Sequence, residues 1–314
     1  MSPGLSRRLG RVRGLVRGLL SNPLLLRMMG SRRFVFCYHD VSDSAHPAHS
    51  PLYSTRPELF RSQIAMLSRY FTWASLDELM TPRKGHRPTA ALTFDDGFLS
   101  VKEVALPLVK AAGIPLALFV CKNAAERNFL PVTTRHLISR DPEWARRFGD
   151  LLPVSNSGYG FIQPQLDEAL FCRQDEIETA GVLRQRIYLS PDEIVELAAN
   201  GTLIGSHSAT HRVLGSVDAG RLAKEISENA SFLRRLGIEN KHFALPFGKR
   251  EHFGPAVLEA ILGGGYRFVY TTNPTDFVPS NKQTLLVPRI CVAGQSVEEL
   301  SFAILRTLLQ KIDL

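Results

Sequence analysis

The sequence predicts an α/β fold, a parallel sheet with helices outside it, either closed as a barrel or left open. Short apolar runs alternate with helical patterns along most of the chain. Adjacent acids and a pair of histidines follow directly on two of those runs, where functional groups gather at the C-terminal ends of parallel strands. The length of 314 residues and the 44% apolar content suffice for a sizeable buried core.

The elements follow in order. RFVFCY, residues 33–38, reads as a strand, and the stretch from Pro57 to about Tyr70 as a helix. SLDELM reads as a short helix that Ser75 caps. TAALTF (89–94) is a strand, FLSVKEVALPLVKAAG a helix, and PLALFV (115–120) a strand. Residues 121–188 interrupt the alternation with mixed charges, Pro153, Pro164, a turn at Gly158 to Gly160 and short helical stretches. This reads as an insertion within one barrel domain over residues 33–314. Ser190, Pro191 and Glu193 then occupy the N-cap, N1 and N3 positions of a capping box. A strand at TLIGS (202–206), a helix from Asp218 to about Leu236, and strands at HFALP and YRFVYTT complete the pattern.

The formal charge of +8 is not spread over the chain. Residues 1–33 hold eight arginines, no lysine and no acid, and the remaining 30 basic residues match the 30 acids. A neutral body without a basic stripe or aromatic platforms argues against nucleic acid as a partner. Residues 1–32 form a separate basic segment. At about 100° per residue, Leu5, Leu9, Val12, Val16, Leu19 and Leu20 fall on one stripe, with Arg7, Arg11, Arg13 and Arg17 mostly off it and Arg8 intruding. With SNPLLLRMM after it, the segment reads as a basic amphipathic helix, over residues 5–29, for an anionic membrane surface. A solvated tail and an organelle transit peptide are the alternatives. Arg17, Pro23 and Arg27 break any run long enough for a secretory or spanning segment, which predicts a cytoplasmic protein, peripheral on the inner face of the membrane. Cys37, Cys121, Cys172 and Cys291 are too widely spaced for a metal cluster or a small disulfide scaffold and read as buried free thiols.

Two stretches carry chemistry. LTFDDG, residues 92–97, sets two aspartates at a strand tip, where adjacent like charges are costly unless something positive sits between them. GSHSATH, residues 205–211, follows another strand. If it coils into a helical turn, the spacing of four puts His207 and His211 on one face, able to share a cation. HxxxH alone is weak. Together with the aspartate pair it predicts a three-ligand site with an open position, Asp96 as a ligand and Asp95 beside it as a base.

These motifs resemble the polysaccharide deacetylase family, whose NodB-type domain is a distorted, incomplete (β/α) barrel that hydrolyses N-acetyl or related amides on sugars. The resemblance covers about residues 33–292 and rests on TFDDG at 93–97, the HxxxH motif and FALPFG at 243–248. It implies Asp95 as catalytic base and Asp96, His207 and His211 as ligands of a divalent metal, Zn2+ first, with Co2+, Mn2+ or Ni2+ as alternatives. It also implies Pro246, Phe247 and Gly248 as a wall of the groove, the Phe247 N–H being an oxyanion donor. Two departures stand out. Ala244 occupies the place where many members carry an arginine that pairs with the base. LLVPRI, residues 285–290, replaces a late Leu-x-His whose histidine is the general acid, so Arg289 replaces one charge partner but cannot give up a proton. YHDV, residues 38–41, resembles the start of a family subset with permuted barrel units and makes His39 the candidate acid. A core histidine at a strand end is the equal alternative. His46, His49, His86, His136, His242 and His252 are given no role.

The expected activity is removal of an N-acetyl or similar N-acyl group from a sugar, on a lipid-linked or polysaccharide precursor. A non-sugar amide hydrolase and a carbohydrate-binding barrel without turnover are the alternatives.

Overall fold

The structure is a computed structural model that describes residue 30 and residues 32–81, 87–153, 163–239, 241–273, 278–279 and 285–309. The basic segment expected over residues 5–29 and the turn at Gly158 to Gly160 lie outside the described residues.

The strands are β1 (Arg33–Tyr38), β2 (Asp40–Val41), β3 (Ser54–Thr55), β4 (Thr72–Trp73), β5 (Thr89–Phe94), β6 (Leu116–Val120), β7 (Leu203–Ser206), β8 (His242–Ala244), β9 (Phe268–Thr271), β10 (Val278–Pro279), β11 (Leu285–Pro288) and β12 (Ile290–Cys291). The main sheet runs β10-β11-β9-β8-β7-β6-β5-β1-β12, with β4 beside β5. All its pairs are parallel except β10 with β11. The segment 285–291 pairs as β11 with β9 and then as β12 with β1. One passage of chain thus joins the two sides of the sheet into a nearly closed barrel, with Arg289 at its seam.

Side-chain alternation explains why these strands read as continuous apolar runs. Phe34, Phe36 and Tyr38 of β1, Ala90, Leu92 and Phe94 of β5, and Leu116, Leu118 and Val120 of β6 join one core with the surrounding helices. Phe243, Leu245 and Val269 do the same on the far side. The intervening residues, Val35, Ala91, Ala117, Phe119, Ala244, Tyr270 and Val287, form a separate lumen core with Leu76 and Leu79. Those two leucines belong to the helix Leu76–Met80, whose capping box on Ser75 is formed. The lumen is packed, so chemistry belongs at its ends.

The helices follow the expected pattern with one change. Pro57–Tyr70, Pro191–Ala199 with its Ser190 capping box, and Ala219–Arg235 capped by Asp218 are formed. The helix expected over FLSVKEVALPLVKAAG is a π-helical turn, Val101–Ala105, leading into an α-helix, Leu106–Ala111. Pro107 near the start of the α-helical part has no N–H to donate to the preceding turn, which widens there. Between β6 and β7 the chain forms the helices Lys122–Arg127, Pro131–Arg140, Pro142–Arg147, Pro164–Cys172 and Gln174–Thr179 before Pro191–Ala199. A buried ion pair, Arg135 Nη1 to Asp167 Oδ1 at 2.5 Å, ties two of them together. Among the described residues no helix is long and apolar enough to cross a membrane.

Candidate active site

β5 ends at Phe94, and the Asp95 N–H continues the sheet by donating to Tyr38 O at 2.9 Å. The strand stops there because the next two residues turn left-handed, Asp96 at φ 71° and Gly97 at φ 81°. Gly97 is also closely packed, since a Cβ would sit 3.3 Å from the Val120 side chain. The turn points the two carboxylates in different directions, with His207 Nε2 near both, 3.7 Å from Asp95 Oδ2.

Asp96 faces the histidines. Its Oδ1 lies 3.4 Å from His207 Nε2 and 3.3 Å from His211 Nε2. The helical turn expected for HSATH is absent: residues 207–211 are irregular, with Ser208 at φ 64° and His211 at φ 59°. The Ser208 hydroxyl accepts from the His211 N–H at 3.0 Å, and this local bond competes with helix. The two rings still meet, with centroids 4.8 Å apart. His207 Nδ1 lies 2.8 Å from Ala244 O and donates to it, which leaves Nε2 as the lone-pair atom turned toward Asp96. Next along the chain, Arg212 anchors the loop to the inserted helices by reaching Glu168 at 2.7 Å and stacking over Phe171 at 3.7 Å.

Asp96 Oδ1 and His207 Nε2 are buried and have no hydrogen-bond partner. Orphaned acceptors of this kind are costly, and a cation between them would satisfy both. Asp96, His207 and His211 offer ligand atoms within 4.8 Å of one another. Burial holds His211 down to about 4, in its neutral ligating form. His207 is raised despite burial, because Asp95 and Asp96 attract a proton to it. The residues fit a divalent metal.

Asp95 is built differently. Arg289, from the seam between β11 and β12, takes both of its oxygens, Nη1 to Oδ1 and Nη2 to Oδ2, each at 2.7 Å. The Cys37 thiol donates to Oδ2 at 3.3 Å. Burial pushes the Asp95 carboxyl up, but the Arg289 guanidinium and His207 outweigh it and hold it well below the carboxylate range. Cys37, His39 and Asp95 also place ligand atoms within 4.8 Å of one another. The bidentate guanidinium already neutralises that carboxylate, so this group reads as an ion pair with neighbours. His39 is half-buried between β1 and β2, and its Nδ1 has no hydrogen-bond partner.

The third motif lines the other side. Phe247 sits at φ 61° with its ring 4.7 Å from that of His211. Gly248, at φ 64°, allows a close approach to Thr272, whose backbone N would lie 2.9 Å from a Cβ. The carbonyls of Pro246, Phe247 and Gly248 accept from Gly248 N, Thr272 Oγ1 and Thr272 N. The Phe247 N–H enters none of these bonds.

The structure thus brings Asp95, Asp96, His207, His211, His39, Phe247 and Arg289 to one end of the barrel. Arg289 is fully buried against Asp95, where it is the charge partner that the sequence suggested. Tyr53 stacks on Phe98 at 5.4 Å and Tyr188 meets the same ring tilted at 5.0 Å, and neither tyrosine was singled out in the sequence. Phe98 follows the DDG turn directly, the one signal that could have pointed to them. Cys121 and Cys37 are buried as expected, whereas Cys172 and Cys291 are exposed, Cys172 at the end of a surface helix and Cys291 on the seam strand. His242 opens β8, in the strand expected at HFALP, and is bonded to Tyr270 and Asp77. A cavity of about 800 Å³ lies at the opposite end, near the strand starts, lined by Asp77, Lys241 and His242 among others.

Fold and site together define a (β/α) barrel with an acid and two histidines poised around one point at its C-terminal mouth. The chain belongs to the polysaccharide deacetylase family, whose model matches residues 83–269, more than half of the chain. Solved structures share the fold at low identity. The Streptococcus pyogenes deacetylase PplD in complex with acetate has 16% identity and a TM-score of 0.56, covering 89% of this chain and 98% of its own. IcaB from Ammonifex degensii has 19% and 0.57, covering 87% and 97%. A de-N-acetylase from Aggregatibacter actinomycetemcomitans has 14% and 0.57, covering 88% and 99%. A search of curated proteins returns no match.

Proposed function

We propose that this protein is a metal-dependent hydrolase that removes an N-acetyl group from a sugar. The observation that carries the reading is the pair of orphaned atoms, Asp96 Oδ1 and His207 Nε2, beside a carboxylate that Arg289 keeps ionised. Asp96, His207 and His211 would hold the ion, and two imidazoles with one carboxylate suit zinc with a position left open. When bound, the metal would polarise the amide carbonyl and activate water at neutral pH.

The remaining roles fall to the chain's own groups. Asp95 accepts the proton of the attacking water, and Arg289 fixes its orientation through two bonds. The low proton affinity of Asp95 makes it a weak base unless the water's own pKa is lowered, which is why base and ion belong together. The Phe247 N–H donates to the developing oxyanion. His39 protonates the leaving nitrogen, because an amine anion is too poor a leaving group. The family and the deacetylase neighbours support an N-acetylated glycan as substrate. A lipid-linked or polysaccharide precursor at the inner face of the membrane is the finer reading, motivated by the basic sequence of residues 5–29.

The test is metal analysis of the purified chain together with acetate release from a panel of N-acetylated mono- and oligosaccharides. One equivalent of zinc, and acetate release that a chelator abolishes and zinc restores, is the expected result. Bound metal without acetate release from any sugar would move the reading to a non-sugar amide or to a carbohydrate-binding barrel. Undiminished release from metal-free protein would overturn the metal dependence.

A further inference from the structure

The four cysteines are free. Two of them have a special relation. Cys37 on β1 and Cys291 on β12 are Cα partners on neighbouring parallel strands, so both side chains leave the sheet on the same side. Adjacent strands lie about 4.8 Å apart. That falls inside the Cα separation of about 4.4–6.8 Å that a disulfide spans. Cys37 is fully buried, with its thiol on Asp95 Oδ2 at 3.3 Å. Cys291 is exposed and lies two residues beyond Arg289, the partner of the same carboxylate.

We propose that Cys37 and Cys291 are a reversible oxidation site, in which a hydroperoxide joins them as a disulfide and turns off the hydrolytic centre beside them. The geometry divides the labour between the two sulfurs. The exposed Cys291 meets the oxidant. The neighbouring Cys37 thiol and the Arg289 guanidinium hold its own thiol below the ordinary value, which favours the reactive thiolate. Burial pushes the Cys37 thiol up, so it serves as the resolving group. In the first step the Cys291 thiolate attacks one peroxide oxygen. The O–O bond breaks, the other oxygen leaves as an alcohol or water after taking a proton, and Cys291 becomes a sulfenic acid. In the second, Cys37 sulfur attacks the sulfenic sulfur, and its proton departs with the hydroxyl as water. Two thiols lose two electrons and the peroxide gains them.

Oxidation removes the S–H that Cys37 donates and sets a sulfur without a proton against Asp95 Oδ2. It also ties the end of β1, which leads into His39, to the strand that carries Arg289. Neither sulfur bonds Asp96, His207 or His211, so the metal trio stays intact. The disulfide stands on strand geometry alone; its effect on turnover rests on the hydrolase reading.

The experiment exposes the metal-loaded full chain to a small excess of hydrogen peroxide, alkylates the remaining thiols and maps linked peptides by mass. Acetate release and metal content are measured on the same samples before and after dithiothreitol, with Cys291→Ser and Cys172→Ser run in parallel. A Cys37–Cys291 peptide should appear while the metal is retained. Acetate release should fall by about tenfold or more, the scale of one lost hydrogen bond to a charged group, and dithiothreitol should restore it. Cys172→Ser should behave like the parent, and Cys291→Ser should keep its activity through the treatment. Full alkylation of Cys37 and Cys291 after peroxide, or linkage through Cys172 instead, would overturn the site. The linked peptide with unchanged acetate release would overturn the switch. Absence of acetate release before any treatment counts against the hydrolase reading alone, and the peptide map still decides the disulfide.

Discussion

The two halves of the site solve opposite problems. Around Asp96, His207 and His211, polar atoms are buried without partners and the backbone is strained, with Asp96, Ser208 and His211 all at positive φ. Each such residue costs about 1–3 kcal/mol, which persists only if the surroundings over-determine it. Around Asp95 the charge is answered: a guanidinium takes both oxygens and a thiol adds a third bond. One half leaves buried polar atoms unpaired, and the other is paired. Neighbouring carboxylates of the same DDG turn therefore differ in what their removal does.

The largest expected effect follows from that difference. Asp95→Asn removes the proton acceptor and should lower turnover by about 10²–10⁴-fold while one equivalent of metal is kept. Asp96→Asn should weaken metal binding first, with turnover recovering in part at high metal concentration. Metal titration followed by calorimetry, alongside acetate release, separates the two. If both variants lost metal to the same extent, the contrast between unpaired and paired halves would be broken.

The sequence was legible where the ligand half is concerned, because its groups come from two short motifs at the ends of β5 and β7. The alternation of apolar and helical runs was enough for the parallel sheet, and the capping boxes at Ser75 and Ser190 were visible in the order of residues. The paired half was legible only in pieces. Ala244 left the arginine's place empty, and Arg289 enters from 194 residues away in the chain, a distance no local pattern encodes. The seam strands were also hidden. β12 has two residues, too short for a period-two signal, and exists because Val292 N–H can donate to Cys37 O at the gap in the barrel. The HSATH spacing brings the two rings together without a helical turn, and spacing alone says nothing of Ser208 turning left-handed to accept from His211.

Arg289→Gln sharpens the comparison from the other side. It leaves Asp95, 2% exposed, as a buried charge without its partner. Breaking a buried pair in this way costs about 3–5 kcal/mol of stability. The pH dependence carries a definite sign. In the parent, the Asp95 pairing contributes above the ordinary carboxylate value and is lost only as pH falls through the depressed folded value. In the variant, burial pushes the Asp95 carboxyl up with only His207 and His39 left to oppose it, so its folded value lies above the parent's and acidification penalises the variant less. The stability gap between the two proteins in denaturant titrations should therefore narrow as pH is lowered from 7 toward the ordinary carboxylate range of about 4. A gap that stayed constant across that range would mean that the guanidinium supports the fold through packing against Phe119 and Tyr270 and not through the charge of Asp95.

The smallest effect concerns His39, which belongs to neither half by hydrogen bonding. Its ring nitrogen comes within 4.8 Å of the Cys37 and Asp95 ligand atoms, yet its Nδ1 has no partner, so no bond fixes it as a core histidine. If it delivers the proton to the leaving nitrogen, His39→Ala should lower kcat/KM for an N-acetyl amide by about 10²-fold, the lower end for a general acid. An activated acetyl ester, whose leaving group departs without a proton, should lose far less. A histidine serving only the strand end would act through stability, with both substrates falling together and the melting temperature dropping with them. Unequal losses at an unchanged melting temperature would join His39 to the paired half as its acid. Equal losses with a lowered melting temperature would leave that half with a base, a guanidinium and a thiol, and the acid would have to come from the substrate's side of the cleft.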